Sequence, residues 1–238
     1  EIRIRDWSSD VCSSDLCENC PRLVDWREEV SVTKRKSYQN ENYWGKPVPG
    51  FGPNDARLMI IGLAPGAHGA NRTGRIFTGD SSGDWLYKAL HNANLARIPT
   101  SVSKNDGQEL SDTRITCAVH CAPPDNKPST EEISNCSIWL EDEMAVLFPT
   151  TRAYLALGGI AWRATQRALS AIGEELPRKR PNFGHGANFK FRGSDGNNRL
   201  VIASYHPSQQ NTFTGKLTRS QLDSVVRKAG RFAHARPL

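Results

Sequence analysis

Residues 57–63 read RLMIIGL, and residues 64–80, which follow them, read APGAHGANRTGRIFTGD. The first stretch is a short continuous apolar run that stops at glycine and proline, the pattern of a strand buried on both faces. The second is polar and rich in glycine, as a loop is. Working outward, this pairing of strand and helix recurs. Residues 84–96 place Trp85, Leu86, Ala89, Leu90 and Ala93 on one helical face. Residues 113–119 (TRITCAV) read as a second strand. Residues 130–148 read as a helix carrying Ile133, Cys136, Leu140, Met144 and Leu147 at helical spacing, with Thr130, Glu131 and Glu132 suited to its start. Residues 153–157 form a third strand and 159–172 a helix. Residues 199–205 (RLVIASY) form a fourth strand and 218–232 a last helix. Four such repeats predict an α/β fold, a three-layer α/β/α sandwich around a four-stranded parallel sheet with right-handed crossovers. Residues 97–112 and 173–198 are left as long connections.

The 238 residues suit one large domain or two small ones, with a core that needs no disulfide staples. An apolar share of 37% and a net charge of +6 fit a globular chain. No apolar run approaches the ~18 residues of a membrane span, so no membrane partner is expected. Residues 1–16 (EIRIRDWSSDVCSSDL) hold two SSD triplets, no periodicity and no apolar signal core. We read them as a foreign or disordered segment ahead of a single domain at 17–238. Setting aside their two arginines and four acids leaves 29 basic and 21 acidic side chains, a net charge of +8. Without an export signal a reducing cytoplasm is expected, and the cysteines then read as metal ligands or thiols rather than disulfides.

Ligands in such sheets bind beyond the carboxyl ends of the strands. The unusual loops collect there: residues 62–80, CAPPDNKP at 121–128, Gly158-Gly159, and HPSQQN at 206–211. One cleft lined by all four is the expected site. The first loop holds five glycines, which let backbone approach a ligand closely. It lacks GxxxxGK[ST], which argues against nucleotide hydrolysis. Phe77 in this polar loop either stacks on a base or anchors the core. Asp80, the loop's only carboxylate, either caps the next helix or does chemistry. His206 follows the fourth strand directly, and is either structural or catalytic. His68, His120 and His185 have weaker cases. No lysine stands alone in an apolar run, so a Schiff-base nucleophile is not indicated.

Cys17 and Cys20 form a CxxC, and Cys121 and Cys136 a second pair. Four thiolates from distant segments suit zinc or an iron–sulfur cluster, and the spacing does not choose between them. The bland reading of Cys136 is a buried free thiol. Cys117, within the second strand, reads as packing or cleft lining. Basic residues are uneven: Arg178, Lys179, Arg180, Lys190 and Arg192 cluster without an acid, and six Lys/Arg in 215–238 face only Asp223. Residues 131–143 are acidic instead. A segregated basic face is either a nucleic-acid footprint or a solvated surface.

GLAPGAHGANRTGRIFTGDSSG, ITCAVHCAPPDNKP and SYHPSQQNTFTGKLT together resemble the uracil-DNA glycosylase superfamily, most closely its family 5, the type B iron–sulfur branch. The resemblance runs from about Cys17 to Phe232. It implies a monofunctional glycosylase that flips and excises uracil, and other deaminated bases such as hypoxanthine and xanthine, from double-stranded DNA. It implies one structural 4Fe–4S cluster on Cys17, Cys20, Cys121 and Cys136. By the same resemblance, Gly62, Leu63, Ala64, Pro65 and Gly66 form the water-activating and base-binding loop, and Phe77 stacks on the flipped base. Asp80 orients water or stabilises the sugar cation, Asn126 assists catalysis or base contact, and His206 hydrogen-bonds the base. Ser208, Gln209, Gln210, Asn211 and Thr212 enter the duplex, and Arg72, Arg75 and Lys216 contact DNA. Cys117 departs from sister branches, some of which place a base-reading Asn in this strand, which favours a broad pocket. A monomer acting at the nucleoid is expected. Two other readings stay open. One is a non-catalytic nucleic-acid-binding protein with a zinc or iron–sulfur site. The other is a thiol oxidoreductase on Cys17 and Cys20, which lacks a thioredoxin-like context.

Overall fold

The computed structural model describes residues 16–235. The expected foreign segment at 1–16 lies outside the described residues apart from Leu16. Among the described residues the order is α1 (Pro21–Thr33), β1 (Leu58–Gly62), α2 (Ala70–Thr73), α3 (Ser81–Asn92), β2 (Thr113–Cys117), α4 (Thr130–Leu147), β3 (Ala153–Leu157), α5 (Gly159–Ala171), β4 (Asn188–Arg192), β5 (Asn198–Ser204), α6 (Gln209–Phe213) and α7 (Arg219–His234). The five strands form one sheet in the order β2-β1-β3-β5-β4.

Strands β2, β1, β3 and β5 run parallel. All positions of β1, β2 and β3 are buried, as expected of strands covered on both faces. Leu58 and Ile60 face a core shared with α3 and α7, while Met59 and Ile61 face one shared with α4 and α5. This is the three-layer sandwich, but the sheet has five strands and is mixed, which corrects the four-stranded parallel expectation. The added strand, β4, pairs antiparallel with β5. A connection as short as residues 193–197 can join only antiparallel neighbours. Gly193 N–H closes that turn on the Asn197 carbonyl at 2.9 Å. The fully buried Arg199 holds it from beneath, with Asp195 at 2.6 and 2.8 Å and the Phe148 carbonyl at 2.8 Å.

The amino-terminal helix α1 lies outside these layers. Arg22 of α1 grips Glu132 of α4 with two bonds of 2.8 and 2.7 Å. Glu132 is also the closing half of a capping box with Ser129 at the start of α4. Among the described residues, no helix is long and apolar enough to cross a membrane.

Candidate active site and cysteine cavity

Register brings the candidate residues together. Gly62 at the end of β1 lies opposite Cys117 at the end of β2, and Leu157 at the end of β3 lies opposite Ser204 at the end of β5. The loops leaving these carboxyl ends must therefore share one rim. The Gly62 and Leu63 carbonyls accept the Ala118 and Val119 N–H groups, each at 3.0 Å, which carries the sheet pairing into the loop.

Phe77 is nearly buried at 6% exposure and has φ +51°, an uncommon and strained conformation for a bulky residue. Its ring presses on Gly62. A Cβ at Gly62 would stand 2.7 Å from the ring and 2.9 Å from Cys117 Sγ, so only glycine fits there. The ring's other neighbour is His206, with centroids 5.7 Å apart and planes tilted by 31°. Burial lowers the His206 imidazole to about 4, so it is neutral at physiological pH. Its carbonyl accepts from Asn211 Nδ2 at 2.9 Å, which fixes the turn into α6.

Asp80 has both of the roles considered for it within reach. It is the N-cap of α3, accepting the Gly83 N–H at 2.9 Å. Its other oxygen packs on the loop glycines: a Cβ at Gly69 would fall 2.1 Å from Oδ2, and one at Gly66 3.0 Å. Burial raises its pKa above the ordinary carboxylate range, against the Gly83 and Ser82 N–H groups, which lower it. The Gly62–Gly66 stretch thus touches Phe77 at one end and Asp80 at the other. Leu63 and Ala64 are half-buried and Pro65 is buried.

Asn126 is not joined to this group. It is exposed, with φ +56°, at the end of a single 3-10 turn at Pro124–Asn126. Ser208 to Thr212 form the cap and body of α6, with Gln209 and Gln210 exposed. Lys216 is exposed, its Nζ 4.8 Å from the Tyr205 ring centroid. The same turn carries a residue that the sequence reading missed: Phe213 is 81% exposed. An aromatic in a polar loop was the available signal, as it was for Phe77.

Arg72 and Arg75 do not face outward, which corrects their expected DNA contact. Arg72 bonds the His68 carbonyl at 2.8 Å, the Gly79 carbonyl at 3.1 Å and Glu41, and its guanidinium lies 3.9 Å from the Tyr38 ring centroid. Arg75 bonds Thr78, Ser101, Asp106 and the Lys104 carbonyl. With 8% and 3% exposure and their donors engaged, both are internal braces.

Cys17, Cys20, Cys121 and Cys136 line one small cavity together with Leu23 and Val119. All four are free thiols. N–H donors point at three of them: Arg27 at Cys121 Sγ (3.0 Å), the His120 backbone at Cys136 Sγ (3.3 Å) and Asn135 at Cys20 Sγ (3.9 Å). Burial pushes the Cys20, Cys121 and Cys136 thiols up, Cys136 to about 12. Among the described residues, no three Cys, His, Asp or Glu side chains form a group placed to hold a single metal ion. Four sulfurs around a shared space, with donors aimed at them, do fit a larger thiolate-bound group. Ala64 of the Gly62–Gly66 loop packs on this cysteine cluster.

With this geometry in view, the comparisons with known proteins are specific. The model of the Uracil DNA glycosylase superfamily matches residues 49–229. A type-5 uracil-DNA glycosylase of Mycobacterium tuberculosis (strain CDC 1551 / Oshkosh) is 50% identical over 218 residues, 92% of this chain and 78% of its own length. One of Thermus thermophilus is 48% identical over 217 residues, 91% and 94% of the two chains. One of Pyrobaculum aerophilum is 45% identical over 226 residues, 94% and 93%.

Proposed function

The chain belongs to the uracil-DNA glycosylase superfamily, and from that premise we propose that it is a monofunctional glycosylase that excises uracil from double-stranded DNA. A base inside a duplex is out of reach, so it is first flipped into the cleft, at a cost of a few kcal/mol that is smallest for mismatched pairs. Uracil opposite guanine is therefore the preferred substrate. Cys117, fully buried and touching the Gly62 position, offers no polar edge to read a base, which supports hypoxanthine and xanthine as further substrates.

The bond that breaks joins C1′ of the sugar to the base nitrogen. Its electrons leave with the base, and the sugar becomes oxocarbenium-like. Asp80 stabilises that cation and orients the water that adds to C1′. The water's surplus proton passes to solvent or to the departing base. Neutral His206 donates a hydrogen bond to the base oxygen as negative charge develops there. Phe77 supplies the stacking face. Asn126, exposed at the end of its turn, would assist catalysis or base contact. The exposed Phe213 beside Ser208–Thr212 suits the gap left in the stack, where apolar wedges are inserted.

Cys17, Cys20, Cys121 and Cys136 would hold one 4Fe–4S cluster. When bound, it supplies a covalent tie between α1, the loop after β2 and α4. This chain's own residues then do the rest: Arg27, Asn135 and the His120 N–H steady the thiolates, and Ala64 relays the fixed position to the base loop.

The observation that carries the reading is that Phe77 and a desolvated Asp80 pack on the Gly62–Gly66 loop while His206 packs on Phe77. The test is excision from a labelled duplex with one U:G pair. Strand cleavage only after alkali is the expected result. No cleavage by folded, DNA-bound protein would overturn the reading.

A further inference from the structure

Two exposed lysines from distant segments stand over one indole. Lys46 Nζ lies 5.9 Å and Lys104 Nζ 4.8 Å from the centroid of the Trp44 ring. Two like charges near one ring repel, and each attraction to the ring is worth only ~0.5–1 kcal/mol when exposed. Among the described residues neither ammonium is in an ion pair. The carboxylates of the two segments are taken: Glu41 is held by Arg72 and Asp106 by Arg75. Two unneutralised cations on one ring leave a local positive charge that attracts phosphate.

The indole is held in place. Its Nε1 donates to the Pro47 carbonyl at 2.9 Å, and the Trp44 backbone N–H bonds the Arg72 carbonyl at 3.0 Å. It packs on Gly74, whose φ of +73° and missing Cβ leave the room; a Cβ there would lie 3.0 Å from the ring. The Lys104 loop is held as firmly. Arg75 grips the Lys104 carbonyl, Ser101 and Asp106, and the Ser101 carbonyl accepts the Gly79 N–H at 2.9 Å. Gly79 adjoins Asp80, and Gly74 shares a loop with Phe77. The two buried arginines thus position a charged pair beside the cleft.

We propose that Lys46 and Lys104, braced by Trp44, form a phosphate clamp that grips the DNA backbone next to the flipped base. The proposal rests on the glycosylase reading for its ligand, a phosphodiester, but it concerns grip and not chemistry. Each phosphate neutralised on B-DNA contributes about −0.9 to the slope of log affinity against log salt.

The test compares the wild type, Lys46→Gln/Lys104→Gln and the control Arg231→Gln. Arg231 lines a cavity at the opposite end of the sheet with Asn92 and Ser111. Affinity for a U:G duplex is measured across a salt series, and the single-turnover excision rate at saturating enzyme. The double variant should flatten the slope by about 1–2, with its saturated rate within about twofold of wild type. The control should leave the slope unchanged. An unaltered slope in the double variant, an equal flattening in the control, or a fall in saturated rate without a change in slope would each overturn the clamp. Absence of excision by the wild type would overturn the glycosylase reading instead, and the salt slopes would still decide whether the lysines meet phosphate.

Discussion

The ring centroids of Phe77 and His206 lie 5.7 Å apart, with the planes tilted by 31°. Seating a base between them would need two contacts of about 3.5–4 Å each, more than the gap provides. A base sandwiched between the two rings is therefore excluded, and in the proposed reading His206 acts on the base through a ring nitrogen that donates to a carbonyl oxygen. His206→Ala should then lower the single-turnover rate on a U:G duplex by about 10²–10³, with duplex affinity little changed. A variant that keeps the wild-type rate would remove His206 from the chemistry.

Asp80 caps α3 and lies against the loop glycines, and its cap and its proposed catalytic duty separate by substitution. Asparagine is a good N-cap but carries no charge. Asp80→Asn should keep the melting temperature and lose at least about 10² in rate. Asp80→Ala should lose the rate and also about 1 kcal/mol of stability. Full activity in the asparagine variant would leave Asp80 as a cap alone, whatever the alanine variant does.

The pH dependence of stability follows from the His206 imidazole, which burial lowers to about 4. An unfolded chain holds its histidines near 6.5. Between these values the unfolded state binds more protons, so the stability tied to neutral His206 is complete above about pH 6.5 and drains away as pH falls towards 4. His206→Gln has nothing to lose in that window. Urea denaturation of both proteins at about pH 7.5 and about pH 5 should show the wild type losing up to about 2 kcal/mol relative to the variant. His68, His120 and His185, also lowered by burial, are present in both and cancel. A constant difference across the two conditions would mean that solvent reaches the ring.

The parallel strands were legible because each is a short apolar run closed by a turn or helix signal: β3 matches its expected residues, and β1, β2 and β5 differ only at their ends. β4 was hidden because Asn188–Arg192 sits in a stretch dominated by Lys, Arg and Gly, yet its alternation of Phe189 and Phe191 with Lys190 and Arg192 is the period of a half-buried strand. α1 was missed because only Leu23, Arg27 and Val30 are buried along it. For the site, the glycine loop, Phe77, Asp80 and His206 could be picked out since strand ends place them. Arg72 and Arg75 misled because charge in a loop suggests solvent, and only tertiary partners reveal a buried brace. Lys46 and Lys104 were illegible, since nothing in sequence brings either to Trp44.

The cysteine cavity makes its own claim on stability. Of its four cysteines, Cys17 and Cys20 precede α1, Cys121 follows β2, and Cys136 lies in α4, so a cluster there would join segments that otherwise meet through a few contacts such as Arg22 with Glu132. Protein purified without oxygen should be brown, with about four irons per chain. Cys136→Ser should cut both the iron and the folded yield. Stripping the iron from wild-type protein should lower its melting temperature and open α1 to protease before the sheet unfolds, because local opening starts where fewest contacts hold. Colourless protein carrying one zinc would replace the cluster with a single ion, and colourless protein that carries no metal and melts normally would reduce the four cysteines to packing.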